Sequence, residues 1–460
     1  MFVSEMSVSE KIVDFVDNLN YSQIPSDVIQ KTKLHFLDTL GICLASSEFD
    51  FGSIVLKVAE GLGSGAESTA IGFGKKLPVA SAALVNGTLA HGLDFDDTHI
   101  GAIVHASAPV AAAALAVGEA EKADGRKLLT ALAAGLEIVT RMGLIAGGAF
   151  HDRGFHPTAI CGTFAASLVT GKIMGYTRES MVSAFGLCGS MAAGLLQIRE
   201  SWLKRMHPGW AAHAGIIASR LGHYGFIGPK DILEGSMGLY KSHLGDLPIK
   251  WSLLLDDLGM RWEISNIAIK PYPCCHFTHA FIDCARFFKA NMKVNPKDIE
   301  QIVCKIPERV VPVVFEPIEA KRRPKLAYDA QFSVPYLVGC MLVKGEVNLD
   351  TVYRQDYDDP EVLDLADKTT WLPDPDSDYP KHFTGEMKIV LKDGRTLERR
   401  ENTNRGGPEN PMTGEEIEEK FLNNAVRLIG SKEADNIVKQ VRRLEDMQDI
   451  CGLIGDLVVR

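Results

Sequence analysis

A mainly α fold, in which a large helical domain is combined with a smaller α+β domain, is what this sequence predicts. Three observations carry that expectation. Apolar residues recur at helical spacing from the start of the chain to about residue 260, the period changes to two near residue 262, and helical signals return behind a Gly/Pro-rich stretch at 406–411. At 460 residues the chain is too long for one compact core, so two domains are expected. The texture places them at 1–265 (helical), 266–405 (α+β) and 406–460 (helical, returning to the first domain).

Val28, Ile29, Phe36, Leu37, Leu40 and Leu44 follow helical spacing between Pro25 and Ser46, with Pro25 and Asp27 as start signals. Segments 79–93, 107–121, 127–145, 157–174, 179–197 and 207–224 repeat the pattern and are rich in Ala, Gly and Ser. Small residues let helix axes approach closely, so a tight bundle is expected. In the second domain Ile267 and Ile269 alternate with polar neighbours, as do Ile302, Cys304 and Ile306. Met387, Ile389 and Leu391 lead into Asp393-Gly394, a dipeptide suited to the positive φ of a hairpin turn. Trp371 to Pro380 reads as a Pro/Asp-rich loop, and Thr413 with Glu416 as a capping box opening a helix to Leu428.

Composition excludes some partners. A net charge of −10 argues against general affinity for nucleic acid or an anionic membrane. The stretch Ala102 to Val117 falls short of the roughly 18 apolar residues of a membrane span. MFVSEMSVSEK lacks a basic stretch followed by an apolar run, so no secretory signal is expected. Nine cysteines without framework spacing suggest reduced thiols in a cytoplasmic protein. Cys274-Cys275 has no CxxC companion, so a zinc site there is not expected, and a buried inert thiol is the reading of Cys274. Gly61-Leu-Gly63-Ser-Gly-Ala66 follows no parallel strand and reads as a loop rather than a dinucleotide site.

The chemistry concentrates in His91-Gly-Leu-Asp94-Phe-Asp96-Asp97-Thr98-His99 with His105-Ala-Ser107, which holds three carboxylates and three histidines in fifteen residues. A helical continuation would put Asp94, Asp97 and Thr98 on one face. Three readings stay open: a capped helix end, a metal site of carboxylates and imidazoles, and an acid/base site in which carboxylate and hydroxyl position a histidine. Two further clusters are His151-Asp-Arg153-Gly-Phe-His156-Pro-Thr158 and Trp202-Leu-Lys204-Arg205-Met-His207-Pro. His156, just before a helix start, either meets an anion there or merely caps the turn. Lys270-Pro-Tyr-Pro-Cys-Cys-His276, with His279 at the start of a helix, opens the second domain.

Taken in order, Asp94-Phe-Asp-Asp97-Thr98, His105-Ala-Ser107, Gly154-Phe-His156-Pro-Thr, Lys204-Arg-Met-His207-Pro-Gly and Lys270-Pro-Tyr-Pro-Cys-Cys with His279 resemble the MmgE/PrpD family over almost the whole chain. The stretch from Thr98 to His105 is a residue longer than the decarboxylase pattern of that family. The resemblance implies an all-helical domain built from both chain ends, an α+β lid inserted between them, a cleft site and a homodimer. It implies a lyase or isomerase acting on a small polycarboxylate: a cis-aconitate decarboxylase, a 2-methylcitrate dehydratase or an iminodisuccinate epimerase, none needing a metal or organic cofactor. The site residues it implies are Asp94, Thr98, His105, His156, Lys204 and His279.

Such reactions develop carbanion character beside a carboxylate, which calls for fixed cations, hydrogen-bond donors and a histidine to move the proton. Lys204 and His156 are expected to hold carboxylates. His105, oriented by Asp94 and Thr98, is expected to transfer the proton, with His279 arriving from the lid. Lys270, Arg205 and His207 are further candidates for substrate binding. The competing expectations are an epimerase using the same residues and a non-catalytic dimer that only binds carboxylates.

Overall fold

The structure, a computed structural model, describes residues 6–198, 201–353, 356–379 and 381–459. Residues 1–5, part of the stretch read for a secretory signal, and Pro380, the end of the Pro/Asp-rich loop, lie outside them. The chain is mainly helical, with a small mixed sheet in its C-terminal half. It divides into two compact units: Met1–Ile269 with Thr413–Arg460, and Lys270–Met412.

In the first unit the longer helices are α1 Val8–Asn18, α2 Ser26–Ser46, α3 Asp50–Gly61, α4 Val79–His91, α5 Ser107–Ala120, α6 Gly125–Leu144, α7 Pro157–Met174, α8 Arg178–Cys188 and α9 Leu203–His223. Their starts follow local chemistry. Ser7 and Glu10 form a capping box at α1, Asp124 accepts from Lys127 N–H at α6, and Pro157 occupies the first position of α7, where its missing N–H costs nothing. Helices α4, α5 and α7 are buried nearly all round, as their Ala-rich sequences allow. Their spacing is set by glycine: a Cβ on Gly87 of α4 would fall 2.7 Å from Gly209 Cα of α9, and one on Gly209 would fall 2.3 Å from Leu84 O. Gly209→Ala should therefore lower stability by about 1–3 kcal/mol through overpacking. An unchanged melting temperature would show that the two backbones can separate freely.

Two helix boundaries differ from the sequence reading. The segment expected as helix over 179–197 stops at Cys188, because beyond Gly189 the chain turns and Leu195 forms an isolated bridge with Phe155. Helix α9 begins at Leu203 rather than 207, and Pro208 sits inside it. That extra turn carries Lys204. Ile267 and Ile269 also part company with expectation. Strand β4 (Ile267–Ala268) pairs antiparallel with β3 (Thr98–His99) inside the first unit, not with a second-domain sheet. A small hairpin, β1 Ser68–Ala70 with β2 Lys75–Leu77, precedes them.

The second unit is built on a four-stranded sheet of β5 Ile299–Ile306, β6 Thr369–Pro373, β7 Gly385–Leu391 and β8 Thr396–Glu401, in the order β6-β5-β7-β8. Strand β6 runs parallel to β5 and the other pairs are antiparallel. Residues 371–373, expected in a loop, thus belong to a strand. Ile302, Cys304, Ile306, Met387 and Ile389 point from the sheet into a core shared with Phe281 and Phe288 of α10 (His279–Ala290) and Leu337 of α11 (Val334–Lys344). Helix α12, Pro360–Lys368, leads into β6.

The chain then returns to the first unit as α13, Gly414–Ile429, and α14, Ser431–Arg442. The Thr413/Glu416 capping box opens α13 as the sequence predicts. No single helix among the described residues is long and apolar enough to cross a membrane. No disulfide forms among them, and eight of the nine cysteines are buried. Cys274 lies 3.2 Å from Thr278 Oγ1.

Candidate active site: a histidine cluster beside a lysine–aspartate pair

Helix α4 ends at His91 and Gly92, and the chain turns instead of continuing as a helix. Asp94 takes φ +50°, a left-handed conformation uncommon outside glycine, so the carboxylates of this segment point in different directions. The expectation that Asp94, Asp97 and Thr98 share a helical face therefore fails. Each finds its own partner.

Asp97 is a buried pin. It accepts from His35 on α2 at 2.7 Å, from Ser107 N–H at 3.0 Å and from the Ser107 hydroxyl. Next to it, Lys420 of α13 donates to Phe95 O at 2.9 Å and pairs with Asp38 of α2 at 2.7 Å. The returning C-terminal helix thus holds the acidic turn in place. His99 is held aside: its Nε2 lies 3.2 Å from Glu263 and its Nδ1 accepts from Ala102 N–H.

His105 returns over Thr98 because 99–104 closes on itself, with His99 N–H donating to Val104 O at 2.8 Å. Ile103 absorbs the turn at φ +52°, unusual for a β-branched residue. His105 Nδ1 lies 3.3 Å from Thr98 Oγ1 and 3.3 Å from Asp96 Oδ1, the latter an ion-pair distance without hydrogen-bond alignment. Asp96 Oδ2 is 2.7 Å from His91 Nδ1. The carboxylate on the Nδ1 side of His105 is thus Asp96, which also holds His91. Asp94, expected in that role, lies 3.9 Å from Nε2 on the opposite edge and is bound by Lys204 Nζ at 2.8 Å.

His156 precedes α7 without capping it. Its side chain turns to His207, with the two Nδ1 atoms 2.9 Å apart. One ring nitrogen from each of His91, His105 and His156 lies within 4.8 Å of the others, and a second close group joins His91, Asp94, Asp96 and His105. These are the described residues in this unit with donor sets that suit a metal. Side-chain exposure separates the roles: His91 and Asp96 have none, whereas His105, Asp94 and Lys204 keep 10 %, 14 % and 20 %, enough to meet a small molecule.

Arg205 stacks on Phe51 and Trp202, 4.6 Å and 5.7 Å from their ring centres. His279 and Lys270 belong to the second unit, where both are buried. His279 Nε2 lies 3.3 Å from Cys274 O. Asp96 and His91 are the members of the cluster that sequence reasoning left without a role, although both belong to the segment from His91 to His99. His35, Asp38 and Lys420 had no local signal at all.

Burial pushes His91 down to about 4 despite Asp96. Burial and the Lys204 charge bring His207 to about 4, and burial with the surrounding imidazoles and Lys204 holds His156 well below the usual range. Asp96 is pushed up by burial but pulled further down by the imidazoles of His105 and His91. His91, His156 and His207 are therefore neutral and Asp96 is charged at pH 7. Because the folded values lie below the unfolded ones, their stabilisation is complete above about pH 6.5 and is lost as pH falls toward 4. The melting temperature should drop between pH 7 and pH 5. A flat profile over that window would contradict the burial of neutral imidazoles.

Comparison with known proteins follows the same outline. Residues 10–252 match the MmgE/PrpD N-terminal domain and residues 272–446 the MmgE/PrpD C-terminal domain. The chain is 29% identical to the cis-aconitate decarboxylase of Homo sapiens over 98% of this chain and 94% of that protein. It is 27% identical to the cis-aconitate decarboxylase-like protein oryM of Aspergillus oryzae, over 98% and 97%, and 26% identical to the cis-aconitate decarboxylase of Aspergillus terreus, over 98% and 96%.

Proposed function

The chain belongs to the MmgE/PrpD family, and on that premise we propose that it is a lyase removing carbon dioxide from cis-aconitate or a closely similar small tricarboxylate. The observation that carries this reading is the placement of His105 between Asp96 on one edge and the Asp94–Lys204 pair on the other. That arrangement supplies a proton carrier and a fixed cation at neighbouring positions.

In the proposed reaction the carboxylate on the saturated carbon of cis-aconitate leaves as carbon dioxide. Its bonding pair forms the new double bond, and the pair of the old double bond takes up a proton at carbon. Substrate trianion plus one proton thus gives product dianion plus carbon dioxide. His105 delivers that proton from Nε2, while Nδ1–H stays directed at Asp96 and Thr98, which stabilise the imidazolium before transfer. Lys204, partly exposed, receives a substrate carboxylate as a charge-assisted contact. His156 donates a second contact when His207 supplies the proton shared between their Nδ1 atoms, which leaves Nε2–H on His156. No organic cofactor takes part.

The direct test is the product mass from a panel of citrate, methylcitrate, cis-aconitate and iminodisuccinate. Loss of carbon dioxide from cis-aconitate, with one solvent deuteron at the protonated carbon in deuterated water, is expected. Loss of water would replace the reading by a dehydratase, and an unchanged mass with solvent label by an epimerase.

A homodimer is part of the proposal. Trp202, Met206 and Trp210 lie four residues apart at the start of α9, and each is at least 40 % exposed, so together they offer an apolar strip to a partner surface. Light scattering should give about twice the chain mass of 50.2 kDa, and Trp210→Glu should shift it toward the monomer. A wild-type monomer at micromolar concentration would remove this part of the proposal.

A further inference from the structure

We propose that His91, His105 and His156 form a transition-metal site of the class that zinc represents, and that the metal occupies it as an inhibitor in place of substrate. His91 Nε2 points into the cluster as a bare nitrogen. The ring is fully buried, its Nδ1 is committed to Asp96 at 2.7 Å, and Nε2 has no hydrogen-bond partner among the described residues. A carboxylate on Nδ1 fixes the proton there and leaves a lone pair on Nε2, which is the arrangement found behind metal-bound imidazoles. A lone pair cannot receive a substrate carboxylate, so the proposed reaction leaves this atom unused.

The other two rings repeat the pattern. His105 Nδ1 faces Asp96 and Thr98, and His156 Nδ1 faces His207, so each has Nε2 left for a ligand. The three rings already bring one nitrogen each to within 4.8 Å of one another. A tetrahedral zinc with bonds of about 2.0–2.1 Å sets nitrogen separations of about 3.3 Å, which modest ring rotation reaches. The surrounding charge suits a dication. Asp94 and Asp96 face the cluster with two negative charges against the one positive charge of Lys204. Neutral imidazoles with nearby carboxylates select zinc, cobalt and their neighbours over magnesium or calcium.

Substrate and metal call for opposite states of the His156–His207 pair. A metal needs the shared proton on His156, leaving its Nε2 bare, whereas a carboxylate needs it on His207. They are therefore alternative occupants, and the metal also takes the Nε2 of His105 that would carry the reacting proton.

Tag-free protein, stripped with EDTA and dialysed, is titrated with Co2+ and read by visible absorption. The expected result is the intense band of four-coordinate cobalt, saturating at one ion per chain and bleached by Zn2+. His91→Gln and His156→Gln should each abolish the band. Asp96→Asn should keep it but weaken binding roughly 10- to 100-fold, because the carboxylate that orients the ligand rings is gone. Circular dichroism checks that the variants fold, and X-ray absorption of zinc-loaded wild type, which needs no variant, should find three imidazole nitrogens. Absence of the band, its survival in both glutamine variants, or a zinc shell without three imidazoles would overturn the site. Zn2+ should inhibit carbon dioxide release from cis-aconitate in step with occupancy, and EDTA should restore it; stimulation by Zn2+ would overturn the inhibitory role. The cobalt measurement is independent of the reaction, so its outcome stands even if the substrate proves to be another acid.

Discussion

His105→Ala is expected to lower turnover by roughly 10²- to 10⁴-fold, the range that a positioned general acid or base contributes. Binding of a non-reacting tricarboxylate should change little, because the proposed carboxylate contacts are Lys204 and His156. The geometry explains why this histidine should dominate. Among the three clustered imidazoles His105 has a side chain that is both partly exposed and flanked by carboxylates on its two edges, Asp96 on Nδ1 and Asp94 on Nε2. His105→Gln, which keeps a polar group but cannot carry the proton, should be nearly as inactive. Steady-state kinetics with isothermal titration on the same variants reads both quantities. Near-normal turnover in His105→Ala would mean that the proton travels through another group, with His156 next to be tested.

Lys204→Ala should weaken binding and turnover together. The charge-assisted hydrogen bond it removes is worth about 1.5–3 kcal/mol, which corresponds to roughly 10- to 150-fold in kcat/KM. The structure adds a second cause. Lys204 lies 2.8 Å from Asp94, so its removal takes a positive charge away from beside a carboxylate that would face an anionic substrate. The double variant Lys204→Ala with Asp94→Asn should therefore recover part of the loss in binding, whereas a purely structural role for Lys204 predicts no recovery. A change in kcat/KM of less than about threefold in Lys204→Ala would remove Lys204 from substrate binding, since it is smaller than one charged hydrogen bond.

Much of the architecture was legible because its determinants are local. Helical spacing needs only neighbouring residues, and so do the Thr413/Glu416 capping box, the Asp393-Gly394 turn and Pro157 at the first position of α7. Ends were misread where a tertiary contact overruled a local signal. Leu195 leaves the expected helix for Phe155, and Pro208 is accommodated inside α9.

By itself, the sequence determined the mainly helical character of the chain, the α+β insertion and the set of residue types that can carry acid–base chemistry on a polycarboxylate. These depend on periodicity, on turn chemistry and on which side chains are present. Only the tertiary structure decided which of those side chains meet. Asp94, Asp96 and Asp97 are within four positions of one another, yet the turn after α4, with Asp94 at φ +50°, sends them to Lys204, to the His91–His105 pair and to His35. Such partners are 110 residues away for Asp94 and 62 for Asp97. No local pattern encodes them, because the direction of a short carboxylate is set by a single backbone dihedral and its charge by whatever helix packs opposite.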